Sequence, residues 1–479
     1  MSTSKNLTSS VLWYTVSNVF IKAVSFLLLP LYSNIIPVGE FGNYALIMSF
    51  YAIASVFYQS GLPSGLTKFY TQEQNTAEKR RVFSSVFNFV IVLSVVLSAV
   101  VILTSGLFSN LIFGSGGFTK LFIIISLLLL LDTCTYFLLH LLKTEEKAKS
   151  VALYSLCSAM VVLALNVVFV YVLRMGITGI LYAQLGGSLL LAAILIPSIK
   201  AYYERIIDGK ILKAMLVFSL PLIVSGFFSA FLDAADRFFL NLYHGSGVTG
   251  VYSFAYRIAL LMNVFVISFR TAWLPRSIAL VKEDNYRYTF GNTLTKLISI
   301  SGIIFLGVIL LVKNLFMYKI FGVYLFNPQY AGGMVILPYV LCAYFLNGIA
   351  SFYSVYPYLY KSSKYLFMAD FYAFIINILL NFILIPAYGM TGAALATLLG
   401  YVAMVGYLII ISADKLIFKY NFFSDGAIII LTIIFYLISL AVQSAFIDVV
   451  LLAVYITALV FITRLDIFSI LKFDKSEKL

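Results

Sequence analysis

The sequence predicts an all-α polytopic membrane protein of about 14 transmembrane helices. They are expected to form two six-helix repeats in parallel orientation, an N-lobe and a C-lobe, followed by two C-terminal helices. Three observations carry that expectation. Hydrophobic residues make up 62% of the chain and charged residues 11%, against roughly a quarter charged in a soluble domain. The apolar residues fall into runs near the ~20 needed to cross a bilayer. The chain also repeats itself: Gly176-Ile-Thr-Gly179-Ile-Leu-Tyr-Ala183 returns as Gly389-Met-Thr-Gly392-Ala-Ala-Leu-Ala396, with Asn166 upstream of one copy and Asn381 upstream of the other. A second pair, Glu40-Phe-Gly42-Asn-Tyr44 and Thr249-Gly250-Val-Tyr252, is offset by a similar distance, roughly 210 residues.

In chain order the apolar cores are 11–35, 43–65, 82–105, 119–142, 150–173 and 177–198 in the first repeat. The second holds 214–241, 248–273, 290–312, 333–359, 366–387 and 389–411, and the appended pair 426–446 and 447–463. Asp448 and the short gap make the last two the weakest. The implied division is 1–205, 206–412 and 413–479, with only short outer loops and no stretch suited to a soluble domain. The first run is too long for a cleavable signal, holds Lys22 and lacks a small-residue cleavage site, so it should persist as helix 1. Pro30 and Pro221 interrupt helices 1 and 7 at matching places, and Pro338 and Pro357 lie in helix 10. These breaks are either moving joints or static kinks that improve packing. The Gly-x-x-Gly turns before helices 6 and 12 point to close helix packing. Cys134, Cys157 and Cys342 fall inside spans and read as small apolar residues.

The net charge of +13 does not indicate nucleic acid, because position explains it. Lys79-Arg80-Arg81, Lys143/Lys147/Lys149, Lys200/Arg205/Lys210 and Lys361/Lys364 occupy alternate loops, while Lys120, Arg174, Lys313 and Lys319 make up the opposite set. The positive-inside rule then places both termini of a multi-pass protein in the cytoplasm. Attraction to anionic lipid adds to the same pattern.

Charges left inside the spans are the candidate functional residues, since each costs at least ~2.5–3.5 kcal/mol at span centre and normally faces a wet cavity or a partner. Lys22, Arg237, Arg257, Arg270 and Lys296 are the bases; Asp132, Asp233 and Asp236 are the acids. Arg270 and Lys296 lie near cytoplasmic ends and suit snorkelling. Helical spacing groups the rest. Tyr14, Asn18, Lys22 and Ser25 form a polar stripe on helix 1; Ser229, Asp233 and Asp236 share a face of helix 7 beside Arg237. Ser253 and Arg257 align on helix 8, and Asn347, Ser351, Ser354 and Tyr358 on helix 10. Asp233 and Arg237 are spaced as a local ion pair, or else Asp233 or Asp236 exchanges its partner for Na⁺ or H⁺. Asp132, near Thr135 and Tyr136, either binds a coupling cation or pairs with Lys22. His140 and His244 are too far apart in sequence to suggest a metal site, and no other cofactor is indicated. Tyr339, Tyr344, Tyr353, Tyr356 and Tyr360 along helix 10 either pack normally or stack on sugar rings.

With these residues in view, the chain resembles the polysaccharide or O-antigen flippases of the multidrug/oligosaccharidyl-lipid/polysaccharide transporter superfamily. The likeness runs through Pro37-Val-Gly-Glu40-Phe-Gly42-Asn-Tyr44-Ala45 and Gly61-Leu-Pro-Ser-Gly65-Leu-Thr-Lys68-Phe-Tyr70. It continues in Asp236-Arg237-Phe, Gly250-Val-Tyr252-Ser-Phe-Ala-Tyr-Arg257 and Tyr388-Gly389-Met-Thr-Gly392. The resemblance implies export of an undecaprenyl-pyrophosphate-linked oligosaccharide by alternating access, often driven by a cation gradient. It places Lys22, Arg237 and Arg257 in a cationic cavity facing the pyrophosphate, with polysaccharide-assembly proteins as further partners. The acids beside Arg237 depart from that pattern. A multidrug antiporter of the same superfamily usually has twelve spans and an acid-biased cavity; here the inner bases outnumber the acids. An enzyme such as a polymerase, ligase or glycosyltransferase needs a catalytic constellation that the sequence does not offer, so a non-enzyme is expected.

Overall fold

The computed structural model describes residues 2–359, 363–413, 416–442 and 444–463, excepting the side chains at 2–12, 14–16, 18, 19, 198 and 363. It is a helical membrane protein. The helices are α1 (Ser2–Ile35), α2 (Val38–Gln59), α3 (Leu62–Gln72), α4 (Thr76–Leu103), α5 (Ser105–Phe113), α6 (Thr119–Thr144), α7 (Ala148–Asn166) and α8 (Gly176–Ile199). They continue as α9 (Gly209–Leu280), α10 (Tyr286–Leu315), α11 (Leu337–Tyr353), α12 (Val355–Leu359), α13 (Ser363–Ser412), α14 (Phe422–Ala441) and α15 (Ala445–Thr463). A two-residue hairpin, Lys319–Ile320 against Val323–Tyr324, follows α10.

Among the described residues 11 helical stretches are long and apolar enough to cross a membrane, besides the shorter Phe20–Ile35. Gly209–Leu280, at 72 residues, and Lys364–Ser412, at 49, each have length for two passes. Each is broken once, at Gly245 (φ 81°) and Gly389 (φ 53°). The repeated sequence motif therefore marks a repeated turn: Gly176 and Gly389 both adopt the left-handed conformation that only glycine enters cheaply.

The run expected at 43–65 is interrupted. Ser60 (φ 48°) and Gly61 (φ 60°) are both left-handed and end α2, so Leu62-Pro63 opens a separate α3. Pro63 sits at the start of α3, where its missing N–H costs nothing.

By internal contacts the chain forms two compact units, residues 1–253 with 378–393, and residues 254–377 with 394–479. In the first, α6 packs against α2, α3, α4 and α8, while α7 runs along α1. Leu62, Leu66, Val82, Phe83, Val86 and Phe137 knit α3, α4 and α6 into a core. Val92, Val95, Val96 and Leu103 of α4 stay exposed on the other side, as suits a helix facing lipid. The second sequence pair also meets here. A Cβ built on Gly42 would stand 3.0 Å from the Gly250 nitrogen and inside contact distance of Ser246 O, so α2 and α9 cross backbone against backbone.

In the second unit α10 packs on α11, α14 and α15. Trp273 stacks on Phe352 at 5.0 Å and meets Phe290 edge-on at 4.8 Å, pairs worth about 0.5–1.5 kcal/mol each beyond area burial.

Candidate functional site

Polar groups inside the apolar helices fall into a few separate centres. Tyr14 and Asn18 of the helix 1 stripe lie outside the described side chains. Lys22 and Ser25 are exposed, and the Ser25 hydroxyl turns back to Ile21 O at 3.1 Å. Lys22 is thus accessible on an otherwise apolar helix.

On α9 Arg237 also engages the acid next to it. Its Nη1 donates to the backbone carbonyl of Asp233 and forms an ion pair with Asp236 Oδ1 at 3.0 Å. Asp236 is fully buried and its other oxygen accepts from the Tyr252 hydroxyl. Tyr252 also places its ring 6.0 Å from the guanidinium. A helical side chain reaches back over the preceding turn, so Arg237 meets a carbonyl there, while the adjacent carboxylate swings in to share the charge. Asp233 itself is half-buried. The Arg237 charge is therefore already shared with a buried carboxylate.

Asp132, midway along α6, is held differently. Tyr51 of α2 donates to Oδ2 at 2.7 Å and Ser188 of α8 donates to Oδ1. It does not pair with Lys22. Thr135 spends its hydroxyl on Leu131 O at 3.0 Å. A cavity of about 230 Å³ opens beside the carboxylate, lined also by Ser55, Gln59 and Tyr136.

In the second unit Arg257 is half-buried. On α11, Ser351 donates to Asn347 O at 2.9 Å and Ser354 to Ser351 O at 2.7 Å, so these hydroxyls satisfy the helix and do not project from it. Ser253, in the first unit, is buried, and its hydroxyl has no hydrogen-bond partner among the described residues. Tyr344, Tyr353 and Tyr356 are buried packing residues, and Tyr353 bonds Tyr420 at 2.7 Å; Tyr360 lies outside the described residues. Tyr358 is exposed.

Sequence reasoning missed one pair altogether. Lys313, assigned to an outer loop, closes the last turn of α10 and bridges to the fully buried Asp448 at 2.8 Å. Asn314 donates to the same carboxylate at 2.8 Å. The signal was available: an acid inside the final apolar run needs a base at matching depth. Tyr51 and Ser188 gave no such signal, since a hydroxyl costs an apolar helix little. At the basic turn after α6, outside the spans, Lys147 donates to the Tyr202 hydroxyl at 2.6 Å, and that bond holds its ammonium above the usual lysine range.

The described residues hold no group of three or more His, Cys, Asp or Glu side chains able to take a metal. No curated protein matches the sequence. Among solved structures the fold is similar to a lipid II flippase, MurJ, in an inward closed conformation, at TM-score 0.75 and 20% identity over 96% of this chain and 100% of that one. It is also similar to an inward-facing multidrug resistance MATE transporter, at TM-score 0.63 and 15% identity over 84% and 98%. A transporter of the same superfamily from Pyrococcus furiosus aligns at TM-score 0.56 and 18% identity over 84% and 93%. Those likenesses establish the fold. The sequence profile described as polysaccharide biosynthesis protein matches residues 7–281, more than half of the chain. The chain belongs to the polysaccharide biosynthesis protein family.

Proposed function

We propose that the protein is a flippase, not an enzyme, that carries an undecaprenyl-pyrophosphate-linked oligosaccharide from the cytoplasmic to the outer leaflet of the bacterial inner membrane. The cargo is the repeat unit of an O-antigen, capsule or exopolysaccharide. The observation that carries this reading is the family match over residues 7–281, joined to full-length similarity to a lipid II flippase. The lobes are residues 1–205 and 206–412, followed by the pair in 413–479, and both termini are cytoplasmic. Lys22, exposed within an apolar helix, meets the pyrophosphate as a point charge, and Arg237 and Arg257 supply fork-like hydrogen bonds. Tyr14, Asn18, Ser25, Ser253, Asn347 and Ser351 make up the polar lining. Two charges on a pyrophosphate do not cross hydrocarbon unpaired, so the protein must supply the compensation. A cation gradient, H⁺ or Na⁺ acting through Asp132, Asp233 or Asp236, biases the exchange between two access states.

Deletion of the gene followed by complementation tests this. Loss of surface polysaccharide, with lipid-linked repeat units accumulating inside, is the expected phenotype. It should be restored by the wild-type chain and not by Lys22→Ala at equal protein level. The second reading, a drug or cation antiporter, draws on the similarity to multidrug transporters and predicts hypersensitivity to cationic drugs with surface polysaccharide intact.

A further inference from the structure

Two buried acids in the apolar helices lie against bases: Asp236 against Arg237 at 3.0 Å and Asp448 against Lys313 at 2.8 Å. Asp132 does not. Its two oxygens accept only from the hydroxyls of Tyr51 and Ser188, and no Lys, Arg or His lies within ion-pair distance among the described residues. A carboxylate at that depth without a counter-charge is strongly disfavoured unless water or a cation reaches it. The cavity of about 230 Å³ beside it, with Ser55, Gln59 and Tyr136 in its wall, has room for several waters and the polar partners they need.

The same face of α6 continues toward one end of the helix. Asp132, Tyr136 and His140 follow i, i+4 and i+8, a path of about 12 Å at 1.5 Å per residue. The Tyr136 ring stacks on His140 with centroids 5.9 Å apart. His140 Nε2 lies 2.9 Å from Pro63 O and 2.8 Å from Thr67 Oγ1. A peptide carbonyl only accepts, so Nε2 carries the hydrogen and Nδ1 keeps its lone pair. Among the described residues nothing donates to Nδ1. Beyond His140 come Lys143 and the basic turn to Lys147, the cytoplasmic side in the charge-based topology.

We infer that Asp132 is a proton-exchange site, reached along the Tyr136–His140 face of α6 and loaded from the end of the helix that carries Lys143. A hydronium proton binds Nδ1 of His140. That N–H bond then breaks as an O–H bond forms on Asp132 through cavity water, leaving the imidazole neutral and the carboxyl uncharged. The Ser188 or Tyr51 hydroxyl turns from donor to acceptor to suit the protonated form. A metal cation fits less well: both carboxylate oxygens face O–H hydrogens, and the Ser55 and Thr135 hydroxyls are turned to backbone carbonyls at 2.8 and 3.0 Å. The ionisable groups packed around the site are few. α6 itself offers Cys134, Tyr136, His140 and Lys143, and α2 offers Tyr51 and Tyr58, the latter bonded to Ser98 of α4 at 3.0 Å. α3 offers Lys68 and Tyr70, with Tyr70 bonded to Glu145 at 2.8 Å, while α8 contributes Ser188 and the distant Tyr182. α7 carries Lys149, Tyr154 and Cys157, and α4 carries Glu78, Lys79, Arg80 and Arg81 in its first turns. Use of this proton as a driving force rests on the transporter reading above; the site itself does not depend on the cargo.

Infrared difference spectroscopy on the purified full-length protein in lipid nanodiscs tests the site without any transport. As pH falls, a protonated-carboxyl C=O band should grow in the wild type. It should be missing from Asp132→Asn, retained in Asp236→Asn, and equal in Na⁺ and choline buffers. Tyr51→Phe should keep the band and raise its frequency, because the C=O has lost a donor. His140→Gln should keep the equilibrium band and slow its appearance after a pH jump at least tenfold. Absence of a band that Asp132→Asn abolishes, or removal of that band by Na⁺ at constant pH, overturns the proposal. A failed flipping assay beside an intact band would instead count against the transporter reading alone.

Discussion

Asp132 and Asp236 belong to the same compact unit and to similarly apolar helices, yet their charges are held in opposite ways. Asp236 is fully buried, paired with Arg237 at 3.0 Å and capped by Tyr252. Asp132 is half-buried, borders a cavity, and is met by two hydroxyls. The first arrangement fixes a charge: removing either partner strands the other in a medium that cannot solvate it. The second leaves a charge that a small cation can reach and cancel, since hydroxyls suit either protonation state. A buried ion pair suits a framework, and a hydroxyl-held acid beside a cavity suits the exchange proposed for Asp132.

The largest effect that could break this contrast is at Arg237. Arg237→Ala should cost about 3–5 kcal/mol of stability, read as a large fall in unfolding temperature in detergent. Asp236→Asn combined with Arg237→Gln should recover most of the loss. Equal stability of Arg237→Ala and the wild type would remove the distinction between the two acids. Next comes the helix crossing that presents Tyr252. Gly250→Ala would drive a methyl into Val38 O and should cost about 1–3 kcal/mol by overpacking; the same thermal scan checks it. Tyr51→Phe removes one hydrogen bond to a carboxylate and should cost about 1–2 kcal/mol. Asp132→Asn keeps the volume and should cost less than Arg237→Ala under the same conditions. Ser25→Ala, an exposed hydroxyl bonded to its own helix, should stay within about 0.5 kcal/mol of the wild type.

The sequence made the class of fold plain because lipid imposes length and polarity on every span. The duplicated Gly176 and Gly389 were legible as turns, though not their positive φ, and Gly42 and Gly250 meet each other across α2 and α9. The break at Ser60-Gly61 was hidden, because apolar residues continue through it and hydropathy does not register a change of backbone direction. The charged centres were visible one residue at a time. Their partners were not, since Tyr51 and Ser188 lie on helices separated from Asp132 by many residues and only packing unites them. The i, i+4 rule pointed to Asp233 for Arg237 and gave no hint of the ion pair with the neighbouring Asp236. Lys313 was misplaced for a related reason: a base at a helix end reads as loop until its acid, Asp448, is seen beside it.

The most direct test of the central claim is movement of the cargo itself. Vesicles reconstituted with the purified protein and an undecaprenyl-pyrophosphate-linked oligosaccharide can be assayed for the fraction of sugar open to an impermeant oxidant. Wild-type protein should expose lipid-linked sugar from the far leaflet, faster under an imposed proton gradient, and Lys22→Ala should not. No exposure of sugar by stable wild-type protein, with export of a cationic drug in its place, would contradict the account.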